Sequence, residues 1–162
     1  MPTPESEALE VIHFYSTAGE YGAFSNFSRH SVFLKGKRWP TSEHYFQAQK
    51  FVGTEHEEEV RKAKKPSEAA AMGRSRKLPL RRDWEGIKDA VMLEAVRAKF
   101  AQHDDLKALL LGTGGAELVE RTVNDSYWGD GGDGSGKNRL GETLMRVRAE
   151  LRAALAAGAG GG

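Results

Sequence analysis

The sequence predicts an α+β fold, a predominantly helical single domain with a few short strands. Three observations lead to it. The chain has 162 residues, 39% apolar and 29% charged, the size and balance of one domain able to bury its own core. Its β-branched and aromatic runs are few and short. Its longer segments repeat apolar residues at the three-to-four-residue spacing of helices.

Residues 1–10 read as an N-terminal extension, 11–155 as the domain, and 156–162, rich in Ala and Gly, as a flexible tail. VIHFY at 11–15 is a strand candidate; SVFL at 31–34, a Lys35-Gly36 turn and KRW at 37–39 form a hairpin. Pro40, Thr41, Ser42 and Glu43 supply cap residues and a first-turn acid for a helix running to about Val52 and Gly53. Thr54 and Glu57 make a capping box for a second helix, expected to reach Lys65 and stop at Pro66, and Ser67 is expected to cap a third ending at Gly73. A long helix from Asp83 or Trp84 to Ala101 carries Ile87, Val91, Ala95 and Ala98 on one stripe, with Leu93, Val96 and Phe100 beside it. Residues 104–111 give a short helix closed by Gly112, and 118–123 a strand. The last helix, 140 to about 155, aligns Leu140, Leu144, Val147, Leu151 and Leu155.

Composition narrows the function. Lys and Arg number 24 against 23 Asp and Glu, a net charge of +1, so any attraction for polyanions must come from a local patch. Zero Cys excludes thiolate nucleophiles, disulfides and Cys-based metal sites. The five His show no paired ligand spacing, so no metal and no cofactor are expected. No apolar run approaches the roughly 20 residues of a membrane span, and the acidic MPTPESEALE start lacks a secretion-signal pattern. The expectation is a cytoplasmic protein, or nuclear in a eukaryote, with no membrane partner and an unassigned oligomeric state.

Three stretches hold residues that folding alone does not require. In FYSTAGEYGAFSNF, Ser25 and Asn26 between Phe24 and Phe27 put hydroxyl and amide groups beside aromatic faces, a combination suited to a base or ribose, although a loop anchored by core aromatics has the same composition. In TSEHYFQAQKF, Glu43, Gln47 and Lys50 fall on one helical stripe: acid, amide and amine in a row. Position in the first turn favours Glu43 as a carboxylate, hence a base or cation stabiliser; proton donation would need burial or a second carboxylate. The plainer reading makes Glu43 a helix-terminus acid and Lys50 a solvated end.

The third stretch, NDSYWGDGGDGSGKNRLG at 124–141, holds six Gly, which let backbone amides approach a ligand closely. Its G-x-G-x-x-G match at 129–134 has no strand-turn-helix context, its G-x-x-x-x-G-K match at 131–137 has Asn138 where Ser or Thr would hold magnesium, and the calcium-loop pattern fails on its Gly positions. What remains is a loop with Trp128, Gly129, Asp130 and Gly134 that leads to Lys137, Asn138 and Arg139 at a helix start, a phosphate cradle by type. Arg74, Arg76, Lys77, Arg81 and Arg82, with Arg61, Lys62, Lys64 and Lys65 upstream, form a basic stretch that is either a solvated face or a phosphate-attracting one.

Taken together, FY (14–15), FSNF (24–27), WPTSEHYFQAQKF (39–51), MGR (72–74), PLR (79–81) with Trp84, AKF (98–100), WGDG (128–131) and GKNRLG (136–141) resemble the NADAR family, and within it the YbiA-like N-glycosidases. The resemblance spans residues 11–151, with no departure at the motif positions. It implies a compact α+β domain that hydrolyses C–N glycosidic bonds of phosphorylated ribosyl conjugates. Two substrate classes go with the family: ADP-ribose on guanine in nucleic acid, and ribosylaminopyrimidine phosphates of riboflavin biosynthesis. Nucleic acid is then a candidate partner as carrier of the substrate.

Carried onto this chain, the resemblance makes Glu43 the first choice for the catalytic carboxylate and Asp130 the second acid, on ribose hydroxyls or water. Trp84 and Trp128 would stack on the base or exclude water, and Lys50 would pair with phosphate or, as a neutral amine, attack the anomeric carbon. Phe24, Ser25, Asn26 and His44 would fix ribose or base edges; Gly129, Gly134, Lys137, Asn138 and Arg139 would hold phosphate through charge and amide donors. The alternative is a non-catalytic module that binds ADP-ribose or a related nucleotide through the same loops.

Overall fold

The computed structural model describes residues 10–160, with side chains to residue 158. In chain order the elements are β1 (Val11–Phe14), β2 (Val32–Leu34), β3 (Lys37–Trp39), α1 (Ser42–Ala48), α2 (Glu55–Arg61), α3 (Pro66–Arg74), α4 (Trp84–Gln102), α5 (Asp104–Gly112), β4 (Glu117–Glu120) and α6 (Arg139–Gly160). Two short 3-10 turns, Gly22–Phe24 and Gln49–Phe51, complete them. The fold is α+β and predominantly helical, as the sequence predicts. Among the described residues no helix is long and apolar enough to cross a membrane. The chain gathers into two compact units, one taking the chain up to Ser25 and from His103 onward, the other Asn26–Gln102.

In the first unit β1 pairs in parallel with β4, Val11 opposite Glu117 through Phe14 opposite Glu120. Alternation buries Ile12 and Phe14 and leaves Val11 and His13 outward. Phe14 meets Phe24 edge to face, with ring centroids 5.7 Å apart. Helix α6 lies against β4 and α5. Of its expected stripe, Leu140, Leu144 and Val147 are buried, whereas Leu155 is 57% exposed. The helix continues through Gly160, so residues 156–160, expected to fray, are helical, in keeping with the Ala content of that segment. Except for Glu10, the N-terminal extension lies outside the described residues, as do the last two residues of the tail.

In the second unit β2 and β3 form the expected hairpin, with Lys35 (φ 55) and Gly36 (φ 74) both left-handed as a two-residue type I′ turn requires. Its core joins Val32, Trp39, Tyr45, Ala48, Phe51, Val60, Ala69, Ala95 and Ala98. Three helix boundaries in this unit differ from the sequence reading: α1, expected to reach about Val52 and Gly53, ends at Ala48 and passes into the 3-10 turn, and two lie around Pro66. Helix α2 ends at Arg61, and Pro66 opens α3, where the missing N–H of a first helical residue is no loss; Ser67 therefore lies inside α3, and Lys65 is its cap residue. Helix α4 buries Met92, Ala95, Val96, Ala98 and Phe100 and also Lys99, which the apolar stripe did not include.

Lys99 is 1% exposed and donates to Ser28 Oγ at 2.8 Å, and Ser28 Oγ lies 3.0 Å from His30 Nδ1. Burial pushes its amine down to about 7. The unfolded chain keeps this lysine protonated up to its ordinary value near 10.5, so between pH 7 and 10.5 the native state binds fewer protons. This contribution to stability is greatest above the unfolded value and is lost as pH falls towards 7. Lys99→Met is expected to raise the thermal midpoint at pH 7 by at least a few degrees, and the gap over wild type should narrow as pH rises to 10. Thermal unfolding across that range checks it; a lower midpoint for the variant at pH 7 would contradict it.

Candidate functional site

Helix α1 starts from a capped and crowded N-terminus. Thr41 is the cap, its Oγ1 accepting from His44 N at 3.1 Å, and Glu43 N donates to the Asn26 carbonyl at 3.2 Å. Ser42 Oγ donates to Asn26 Oδ1 at 2.9 Å, and Asn26 Nδ2 reaches Met92 Sδ at 3.3 Å. Asn26 is therefore joined at both ends of its amide, and it fixes where Glu43 begins. His44 is fully buried, with Nδ1 2.8 Å from Thr41 Oγ1 and Nε2 2.9 Å from the Ala63 carbonyl. Since the carbonyl can only accept, Nε2 carries the proton and Nδ1 accepts from threonine. Burial lowers the basicity of the ring. The geometry thus gives His44 the work of fastening α1 to the segment before α3.

Of the acid, amide and amine predicted to share a stripe, the acid and amide are hydrogen-bonded, and the amine reaches Gly73, against which the amide packs. Glu43 is 7% exposed, and its Oε1 accepts from Gln47 Nε2 at 3.0 Å. Lys50 Nζ donates to the Gly73 carbonyl at 3.1 Å and lies 5.9 Å from the Phe46 ring centroid and 5.6 Å from that of buried Trp84. Burial lowers the Lys50 amine, against the opposing pull of the Glu43 carboxylate. Lys50 is not a solvated helix end. Trp84 is brought here by the segment that carries the basic stretch and the PLR motif: Arg81 N donates to the Lys50 carbonyl at 3.0 Å, Arg81 grips Asp83 at 2.6 and 3.0 Å, and Trp84 N returns to the Arg81 carbonyl at 3.3 Å. Arg74, Arg76, Lys77 and Arg82 in the same stretch are exposed.

The glycine-rich loop of the first unit is organised around Asp130, which is 2% exposed. Its Oδ1 accepts from Thr122 N at 3.0 Å and Gly132 N at 2.8 Å, its Oδ2 from Arg121 Nε at 2.7 Å, and its carbonyl from Gly134 N and Gly136 N. Burial works against ionisation, but these donors outweigh it and hold the carboxyl below its usual value. A Cβ on Gly136 would sit 2.5 Å from the Gly129 carbonyl oxygen, so the glycines allow the loop to cross itself.

Backbone amides of residues 137–140 each donate to a carbonyl of residues 126–129, at 2.8 to 3.0 Å. The expectation that they hold phosphate needs correcting to this extent: those amides already have acceptors, and the stretch offers charge instead. Asn138, left-handed at φ 52, accepts from Glu120 N at 3.0 Å and donates to the Leu118 carbonyl at 2.9 Å, binding the loop to β4. Lys137 is exposed, and the Arg139 guanidinium, 6.0 Å from the Tyr127 ring centroid, keeps Nε buried without an acceptor. Trp128 is half-buried against Tyr127, centroids 4.9 Å apart. Phe24 and Ser25 are buried, with Phe24 stacked on Tyr21 at 5.4 Å and Ser25 N donating to Gly22.

The structure thus brings Glu43, Lys50 and Trp84 together in one unit, and Gly129, Asp130 and Gly134 with Lys137, Asn138 and Arg139 in the loop of the other. Sequence reasoning missed Arg121 and Thr122, which hold Asp130; an Arg and a Thr at the end of a strand carry no pattern of their own.

A cavity of about 390 Å³ in the first unit is lined by His13, Arg121, Asp130, Lys137, Asn138 and Glu142 among others, so Lys137 and Arg121 share it with two carboxylates. Among the described residues Glu55, His56 and Glu59 form the one group with ligand atoms close enough for a metal, all within 4.8 Å of one another. His56 Nδ1 pairs there with Glu59 at 3.1 Å on an exposed helix face.

Residues 13–152 match the NADAR domain. The chain is 57% identical over 141 residues to N-glycosidase YbiA of Escherichia coli, covering 87% of this chain and 88% of that one. It is 42% identical over 165 residues to the chloroplastic riboflavin biosynthesis protein PYRR of Zea mays, covering 91% of this chain and 26% of that one. The NMR structure of Escherichia coli YbiA superposes with a TM-score of 0.83 at 56% identity, over 89% of this chain and 86% of that one.

Asp130→Asn removes the negative charge and puts an NH2 donor in place of one of the two oxygens that accept from Arg121 on one side and from Thr122 and Gly132 amides on the other, and amide hydrogen exchange at Thr122, Gly132, Gly134 and Gly136 is expected to quicken at least tenfold. Unchanged protection at all four would show that the loop holds without the carboxylate.

Proposed function

This chain belongs to the NADAR family and is an N-glycosyl hydrolase, and from that premise we propose that Glu43 is the carboxylate on which its reaction turns. The observation that carries the reading is buried Glu43 and Trp84 in one unit with half-buried Lys50. Breaking the bond between ribose C1 and a base nitrogen builds positive charge on the sugar, and a carboxylate fixed in a poorly solvated site stabilises that charge more than one in water would. The departing nitrogen takes up a proton, and water supplies the hydroxyl that ends on C1. Trp84, buried against Phe46 with Lys50 over its ring, is assigned to keeping water from the site.

Lys50, whose amine is made less basic by burial, is suited to a second course: its neutral nitrogen bonds to C1 as the bond from C1 to the base nitrogen breaks and the base leaves with a proton, the ribose ring opens with its ring oxygen protonated to leave an imine between Lys50 and C1, and water hydrolyses that imine to the free sugar and the Lys50 amine. Lys137 and Arg139 are assigned to phosphate. A guanidinium nitrogen buried without an acceptor is the supporting observation. Asp130 and Asn138 serve by shaping the loop that presents these cations.

The substrate we propose is a phosphorylated ribosyl conjugate of a base, either ADP-ribose on guanine or a ribosylaminopyrimidine phosphate. The exposed cations Arg74, Arg76, Lys77 and Arg82 support the first and nucleic acid as its carrier, in a cytoplasmic setting.

Incubation with ADP-ribosylated guanine in an oligonucleotide, and separately with a ribosylaminopyrimidine phosphate, followed by chromatography, tests the reading. Release of free ADP-ribose or sugar phosphate, falling at least about a hundredfold in Glu43→Gln while binding persists, is expected. Full turnover in that variant removes Glu43 from catalysis; binding of ADP-ribose with cleavage of neither substrate favours a nucleotide-binding module. With the oligonucleotide substrate, affinity is expected to fall steeply between 50 and 200 mM salt, and a flat response would exclude a nucleic-acid contact.

A further inference from the structure

Gly73 stands where two side chains of the proposed site end. Its carbonyl accepts from Lys50 Nζ at 3.1 Å, and its Cα faces the Gln47 amide so closely that an added Cβ would fall 2.6 Å from Gln47 Cδ and nearer still to Oε1. Gln47 is 7% exposed; its Nε2 donates to Glu43 Oε1 at 3.0 Å, while its Oε1 is buried without a hydrogen-bond partner. The amide is therefore held from one side by a hydrogen bond and from the other by shape. Gly73 lies in the last turn of α3 with no left-handed φ, so its backbone conformation is open to alanine, a better helix former. Close approach of Gln47 is what glycine permits here.

We propose that Gln47 and Gly73 are positioning residues of the glycosidase: the absent side chain of Gly73 makes room for the Gln47 amide, which aims the Glu43 carboxylate, while the Gly73 carbonyl sets Lys50. This rests on the catalytic reading of Glu43. A single backbone position then fixes the acid and the amine at once. Its effect on Glu43 passes through one side chain, so the two substitutions are coupled.

The experiment compares Gln47→Ala, Gly73→Ala, the double variant and Glu43→Gln on whichever conjugate the wild type cleaves, with thermal unfolding of each. Both single variants are expected to lose at least tenfold in kcat with KM within about threefold. The acid limb of the kcat/KM profile should move to higher pH, because an N–H donor favours the ionised carboxylate. The double variant should be no slower than the slower single variant. Losses that multiply in the double variant, or a Gln47→Ala enzyme with wild-type kcat and pH profile beside an inactive Glu43→Gln, overturn the inference alone. Full activity in Glu43→Gln overturns the catalytic reading and the inference with it. If Gly73→Ala does not fold, Gln47→Ala decides by kcat and pH profile.

Discussion

Helix α1 is buried along its whole length, and four of its seven residues, Ser42, Glu43, His44 and Gln47, are polar. A polar side chain withdrawn from water destabilises the fold unless it finds a partner inside. Asn26 answers Ser42, Thr41 and the Ala63 carbonyl answer His44, and Gln47 answers Glu43. Gln47 belongs to the helix itself; the other partners come from the segments before and after it, and α1 lies at the centre of the second unit with α2, α3 and α4 packed on it. The same constraint that organises the fold leaves a carboxylate and an amine in a poorly hydrated place, where their charges act strongly.

The first unit solves a different problem by related means. Apart from Tyr127 and Trp128 its loop is glycine and polar residues, too little to build a core, and hydrogen bonding around one carboxylate fixes its shape. Asp130 gathers Thr122, Gly132 and Arg121, and the amides ahead of α6 close onto carbonyls of residues 126–129. A loop of this kind presents cations without flexing to do so, which reduces the ordering entropy of a ligand contact. Asn138 extends the arrangement to β4 by acting as a short length of strand.

How much of this was legible in the sequence follows from which forces were local. The hairpin, α4 and the capped start of α1 were readable because turn chemistry, helical spacing and caps act within a few residues; the stripe of Glu43, Gln47 and Lys50 was readable for the same reason. The Pro66 boundary was misread because one residue signals both the end of one helix and the start of another, and only packing separates the two. Lys99, Arg121 and Gly73 were opaque, since each takes its meaning from a partner 71, 9 or 23 or more residues away in sequence. Motif resemblance supplied the family that spacing alone left open, but not the inward turn of the loop amides.

The central claim is that the reacting sugar sits against Glu43 on α1. A structure of the Glu43→Gln variant with intact ADP-ribosylated guanosine, or with the aminopyrimidine conjugate, tests it most directly. The anomeric carbon is expected within about 3.5 Å of the substituted side chain. A ribose seated away from α1, with its anomeric carbon out of reach of that position, would contradict it.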